Sequence, residues 1–92
     1  MNTIRHYSIQ VSGRVQGVGY RAFALKTATL LGILGYVKNR SDGSVQIEAE
    51  GTEAILIQFV KSCENGPGWG HVERIDVTES PVQGYHDFII KY

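Results

Sequence analysis

The apolar residues of this chain change period across one short glycine-rich stretch, and that change restricts most of what can follow. Over 6–12, Tyr7, Ile9 and Val11 alternate with His6, Ser8 and Gln10. Period two with one polar face is the pattern of a half-buried strand. Over 21–31, Ala24, Ala28 and Leu31 fall at helical spacing, with Phe23 and Leu30 beside them; this is the stripe of an amphipathic helix. Gly32 stands where a left-handed C-terminal cap belongs. Between the two lies GRVQGVGYR at 13–21, with three glycines and two arginines. A helix start ordinarily carries Ser, Thr, Asp or Asn as its cap and favours acids in its first turn. Tyr20 and Arg21 stand there instead, so other groups must satisfy the exposed backbone N–H groups.

The rest of the chain continues the alternation. Residues 35–39 read as a second strand, and the turn at Ser41, Asp42, Gly43 and Ser44 suits a tight hairpin. Val45, Ile47 and Ala49 then alternate with Gln46, Glu48 and Glu50, giving a third strand antiparallel to the second. Thr52 is the expected N-cap of a second helix, with Glu53 in its first turn. Its apolar stripe is Ile55, Leu56, Phe59, Val60 and Cys63, and 65–68 breaks it. A fourth strand is expected over 73–78 and a short final one over 88–91. The order β-α-β-β-α-β plus a terminal strand points to an α+β, ferredoxin-like sandwich. It is expected to form an antiparallel sheet with two helices on one face, as one domain over 1–92.

The glycine-rich junction has a chemical reading. Successive glycines let backbone N–H groups form a nest for an anion. A helix N-terminus behind them adds uncapped donors and a positive dipole end. Arg21 supplies a planar fork matched to phosphate or carboxylate oxygens. An arginine there disfavours the empty helix and favours the anion-bound one. The same residues also fit a plain glycine turn with two solvated arginines; the inversion of the usual cap preferences favours the anion site. Named phosphate motifs fit less well. The Walker pattern lacks its closing Gly-Lys-Ser/Thr. Residues 17–22 match GxGxxA, but the dinucleotide fold needs a parallel next strand and a doubly wound sheet. A cysteine phosphatase needs its thiolate at a loop-to-helix junction, whereas Cys63 lies on an apolar stripe and reads as a buried structural thiol.

The junction and the second hairpin together resemble a known family. GRVQGVGYR is similar to the first signature of the acylphosphatases, and GYVKNRSDGSV at 35–45 is similar to the second. Tyr20 stands where that family more often has Phe, and Tyr36 where it more often has Trp. Gly66-Pro67 before the fourth strand and Phe88 near the end also fit. The resemblance implies the same ferredoxin-like fold, with no metal and no cofactor. It implies hydrolysis of the carboxyl–phosphate anhydride of small acyl phosphates to carboxylate and inorganic phosphate. By resemblance, Arg21 binds the phosphoryl group with backbone N–H groups of Gln16, Gly17, Val18, Gly19 and Tyr20, and Asn39 holds the attacking water. On the residues alone, Asn39 is simply an asparagine ending a strand before a turn. Arg14 is ambiguous between adding charge and bracing the loop.

Composition narrows the partners. Nine basic and nine acidic residues cancel, which argues against holding nucleic acid or anionic membrane by bulk charge. No stretch approaches the ~18 apolar residues of a membrane span, and the first residues carry no apolar run of signal-peptide length. One cysteine forms no internal disulfide. The expectation is a cytoplasmic monomer whose partner is a small-molecule acyl phosphate. His6, His71 and His86 are scattered without metal spacing and read as surface or strand-end residues. Tyr7, Tyr36, Tyr85, Tyr92 and Trp69 read as core or edge packing. The alternative function is a non-catalytic, phosphate-binding regulatory module. A single-stranded RNA binder on the same sheet is disfavoured by the acidic face at Gln46, Glu48 and Glu50.

Overall fold

The change of period at the glycine-rich stretch is a change from strand to helix. A computed structural model describes residues 3–92. Its elements are β1 (Ile4–Arg14), α1 (Tyr20–Leu31), β2 (Leu34–Asn39), β3 (Val45–Thr52), α2 (Glu53–Asn65), β4 (His71–Ser80) and β5 (Phe88–Lys91). The strands form one sheet in the order β4-β1-β3-β2-β5. Tyr7, Ile9 and Val11 lie opposite Ala49, Ile47 and Val45, and Val37 lies opposite Ile47. These alternate positions share one face and one buried cluster with Tyr20, Ala24 and Ala28 of α1 and Leu56, Phe59 and Cys63 of α2. Both helices therefore cover the same face. Gly32, at φ 74, ends α1 as its position implies.

Several expectations change in detail. The sheet is mixed rather than wholly antiparallel, because β5 runs parallel to β2. The reason is chain length. Residues 81–87 carry the chain from β4 at one edge to β5 at the other. Seven extended residues reach roughly 23 Å, and four strand spacings are roughly 19 Å. The chain can cross directly but has nothing left with which to return along the sheet. β4 also runs longer than 73–78. Leu30, expected beside the apolar stripe, is 78% exposed, because the small residues Ala24 and Ala28 turn the seam away from it. Thr52 precedes α2 but makes no side-chain capping hydrogen bond.

The open face of the sheet is not simply solvated. His6, expected at the surface, is buried, as are Glu48 and Glu50. His6 Nδ1 lies 2.7 Å from Glu50 Oε2, and Nε2 lies 2.6 Å from Glu48 Oε1. A carboxylate only accepts, and imidazole donates from both nitrogens only when protonated, so the geometry is that of an imidazolium between two carboxylates. Burial opposes the charge on His6, but the hydrogen bonds and charges of Glu48 and Glu50 outweigh it and raise its pKa. Burial likewise pushes both carboxyls up, and their hydrogen bonds pull them net down. Gln46, Ser8 and His6 do this for Glu48; the backbone N–H of Gln83, with His6 and the N–H groups of Gly84 and Tyr85, does it for Glu50. Glu50 thus holds the 81–87 crossing to the sheet, and Tyr85 packs between the rings of His6 and Tyr36.

Two measurements check this packing. The contribution of His6 is complete below its ordinary pKa of 6.5 and is lost as pH rises through its raised folded value. That of the two carboxylates is complete above their ordinary 4.5 and is lost as pH falls through their lowered folded values. Unfolding free energy should therefore decline on both sides of a mildly acidic maximum, and His6→Gln should flatten the alkaline decline. Identical alkaline limbs for the two proteins would show that His6 is not the titrating group. His6→Leu, which leaves two carboxylates facing each other, should cost about 3 kcal/mol. Separately, burial pushes the Cys63 thiol up to about 12. The native protein should resist a thiol reagent at neutral pH and react fully once unfolded.

Candidate active site

β1 and β2 both pair antiparallel with β3, so they run the same way and end at the same edge of the sheet. The register places Val11, Val45 and Asn39 in one row across the three strands. The glycine-rich loop leaves β1 just beyond that row, and Asn39 ends β2 within it. In β2, Gly35, Val37 and Asn39 alternate onto the helix-covered face, so the Asn39 side chain points beneath the start of α1. Gly35 lets β2 lie this close. Its φ is +140°, and a Cβ there would stand 1.8 Å from the main-chain oxygen of Glu48.

The loop itself has the conformation of a nest. Gly17 and Gly19 have φ of 74° and 80°, and no non-glycine residue among those described has positive φ. The sign of φ therefore alternates from Gln16 to Tyr20, which turns successive N–H groups toward the same side. Residues 16–19 form a turn, and among the described residues the backbone N–H groups of Gln16, Gly17, Val18, Gly19, Tyr20, Arg21 and Ala22 make no well-aligned hydrogen bond to a backbone carbonyl. The first that does is Phe23, to Gly19 O at 3.0 Å. Gly19 is the N-cap, in the left-handed region and with no side chain to cap α1, and the first turn carries no acid.

A cavity of about 170 Å³ opens against this loop, walled by Val15, Gly17, Gly19, Arg21, Ala22, Asn39, Ile90 and Tyr92. It brings Arg21, Gly17, Gly19 and Asn39 together. Val18 and Tyr20 are turned away from it. Val18 packs against the core, and Tyr20 is buried with its hydroxyl donating to Cys63 O at 2.8 Å. Neither residue forms part of the cavity wall. Gln16 also lies outside the wall, and its side chain reaches the β2–β3 hairpin. Arg21 has no carboxylate partner among the described residues, and its guanidinium carbon lies 4.8 Å from the centre of the Tyr92 ring. The Asn39 carboxamide oxygen is buried and accepts no hydrogen bond from the described protein groups. Arg14 donates to Trp69 O at 3.0 Å, which gives it a bracing contact to the loop before β4.

Tyr92 and Ile90 are missing from the sequence-derived set. They reach the cavity because β5 lies parallel to β2, with Ile90 opposite Val37 and Lys91 opposite Lys38. Tyr92, expected in packing, is 97% exposed, and Trp69 is 79% exposed. No spacing signal announces a parallel pairing between strands so far apart in sequence. Among the described residues, no group of three or more His, Cys, Asp or Glu side chains is placed to hold a metal ion, and no helix is long and apolar enough to cross a membrane.

Comparison with known proteins agrees with the geometry. The family model for acylphosphatase matches residues 7–90. An acylphosphatase of Thermotoga petrophila is 48% identical over 84 residues, which is 91% of this chain and 93% of that one. The crystal structure of acylphosphatase from Bacillus subtilis superposes with a TM-score of 0.94 at 46% identity, covering 98% of this chain and all of that one. Full-length HypF, solved in its phosphate- and nucleotide-bound form, contains a similar region. It superposes with a TM-score of 0.94 at 32% identity, covering 100% of this chain and 12% of that much longer one. The match over nearly the whole chain, in sequence and in fold, places this chain in the acylphosphatase family of hydrolases.

Proposed function

We propose that the chain hydrolyses the carboxyl–phosphate anhydride of small acyl phosphates, with Arg21 and the glycine-rich loop holding the phosphoryl group and Asn39 orienting the water. The observation that carries this reading is the pairing of unused groups in one cavity. An arginine without an acid, a run of undonated N–H groups and a buried, unaccepting amide oxygen stand together. The first two complement an oxyanion; the third complements a donor such as water.

The chemistry follows from those groups. The water oxygen attacks phosphorus, and the bond from phosphorus to the acyl oxygen breaks. The electron pair of that bond leaves on the carboxylate, a weak base and hence a good leaving group. Phosphoryl transfer of this kind needs chiefly positioning and charge stabilisation. Arg21 and the loop donors supply the charge term. The Asn39 amide accepts a hydrogen bond from the water but does not take its proton, so the proton passes to a phosphate oxygen of the substrate. The reading includes a monomer acting in the cytoplasm on a free small molecule, without nucleic acid, cofactor or metal. The balanced charge of the chain supports the part about nucleic acid, and its lone buried cysteine is compatible with a reducing compartment.

Hydrolysis of benzoyl phosphate, followed by ultraviolet absorbance with chelator present, tests the reading. The wild type should turn over, and Asn39→Ala should lose about 10²-fold or more in kcat while its inhibition constant for inorganic phosphate moves little. Arg21→Gln should weaken phosphate binding by about tenfold or more, the worth of a charge-assisted hydrogen bond, and keep its fold. An unchanged phosphate inhibition constant in Arg21→Gln would remove that residue from the site. Phosphate binding without turnover in the wild type would make the chain an anion-binding module instead. Loss of activity with chelator would point to a metal.

A further inference from the structure

We propose that the side chain of Gln16 is a positioning residue that fixes Asn39 relative to the glycine-rich loop, an inference that rests on the hydrolytic role proposed above. Gln16 belongs to the loop but not to the cavity wall. Its Nε2 instead donates to two carbonyls of the β2–β3 hairpin, Arg40 O at 2.8 Å and Ser44 O at 2.9 Å. A carboxamide nitrogen has two N–H donors, and both are used. The two carbonyls are the two ends of one turn. Arg40 N donates to Ser44 O at 2.8 Å, and Gly43 N donates to Arg40 O at 3.2 Å. Ser44 is further pinned through its N–H and hydroxyl to Asp42 Oδ1. The turn is a rigid piece, and Gln16 grips it across its neck.

Asn39 is the residue immediately before that neck. Its side-chain oxygen has no hydrogen-bond partner among the described protein groups, so where that oxygen sits depends directly on the position of its backbone. That backbone is at the end of β2, where pairing with β5 has already stopped at Lys38, and only Val45 remains opposite. The brace from Gln16 is thus the link that carries the position of the phosphate-holding loop to the water-holding amide. Misplacement of a catalytic group by about 1 Å is enough to cost on the order of 10²-fold in rate.

The test uses Gln16→Met, which keeps length and loses both donors, and Gln16→Glu, which sets a carboxylate against two carbonyls. Benzoyl phosphate kinetics and phosphate inhibition are measured for each, alone and combined with Asn39→Ala. Gln16→Met should lower kcat by about tenfold or more while the phosphate inhibition constant stays within about threefold. The loss should nearly vanish in the Asn39→Ala background. Gln16→Glu should regain turnover, relative to the wild type, as pH falls and its acid gains a donor proton. An unchanged kcat, a parallel loss of phosphate affinity, or full additivity with Asn39→Ala would each overturn the proposal. If Gln16→Met does not fold, the pH recovery of Gln16→Glu decides alone. If the wild type itself proves inactive, the proposed function fails separately. The brace is then read from amide hydrogen exchange at Arg40 and Gly43, where unchanged protection in Gln16→Met would refute it and faster exchange would retain it.

Discussion

Everything at the cavity depends on β3 standing between β1 and β2 and pairing antiparallel with both. That arrangement makes β1 and β2 codirectional, so the loop after one and the last residue of the other meet at the same sheet edge. Because strand side chains alternate, a slip of one residue between β2 and β3 would turn Asn39 to the open face. The register is fixed by burial. Val37, Ile47, Val45 and Val11 all lose solvent completely on the helix-covered face, and a slip of β2 would exchange Val37 for Lys38 there. The strand register that brings Asn39 to the loop is therefore held by the core, and the Gln16 side chain ties the loop to the hairpin just beyond it.

The features legible in the sequence were those written in short-range patterns. Period two marked the strands around Ile9, Ile47 and Ile75. Helical spacing marked Ala24 and Ala28. Gly17 and Gly19, with a helix start that had neither cap nor acid, marked the nest-like conformation of the loop. What escaped was set by pairings between distant residues. Tyr92 comes to Arg21 only because β5 pairs parallel with β2. His6 is buried only because Glu48 and Glu50 stand beside it on β3 and residues 83–85 cross above. Leu30 matched the helical spacing yet faces out, since the seam follows the smallest side chains. Asn39 was ordinary as a residue type, and only its burial without a partner distinguishes it from any other strand-ending asparagine.

The two ends of the molecule treat a cation in opposite ways, and the contrast is physical. At the open face His6 is closed between two carboxylates at hydrogen-bond distance, and each carboxylate is further satisfied by hydroxyl, amide or backbone donors. Such a cluster has no capacity for a ligand; it fixes the crossing segment that delivers β5. At the loop, Arg21 has an aromatic ring beside it rather than an acid. An aromatic face steadies a guanidinium without consuming its hydrogen-bond donors. An Asp or Glu in the first turn of α1 would stabilise the empty helix through the dipole. It would also occupy Arg21 and repel an entering phosphate. On the proposed function, the missing cap and the missing acid are one feature: the helix end forgoes its internal stabilisation so that a bound anion would supply it. On the same proposal, phosphate would stabilise the folded chain, since whatever binds the native state alone also stabilises it.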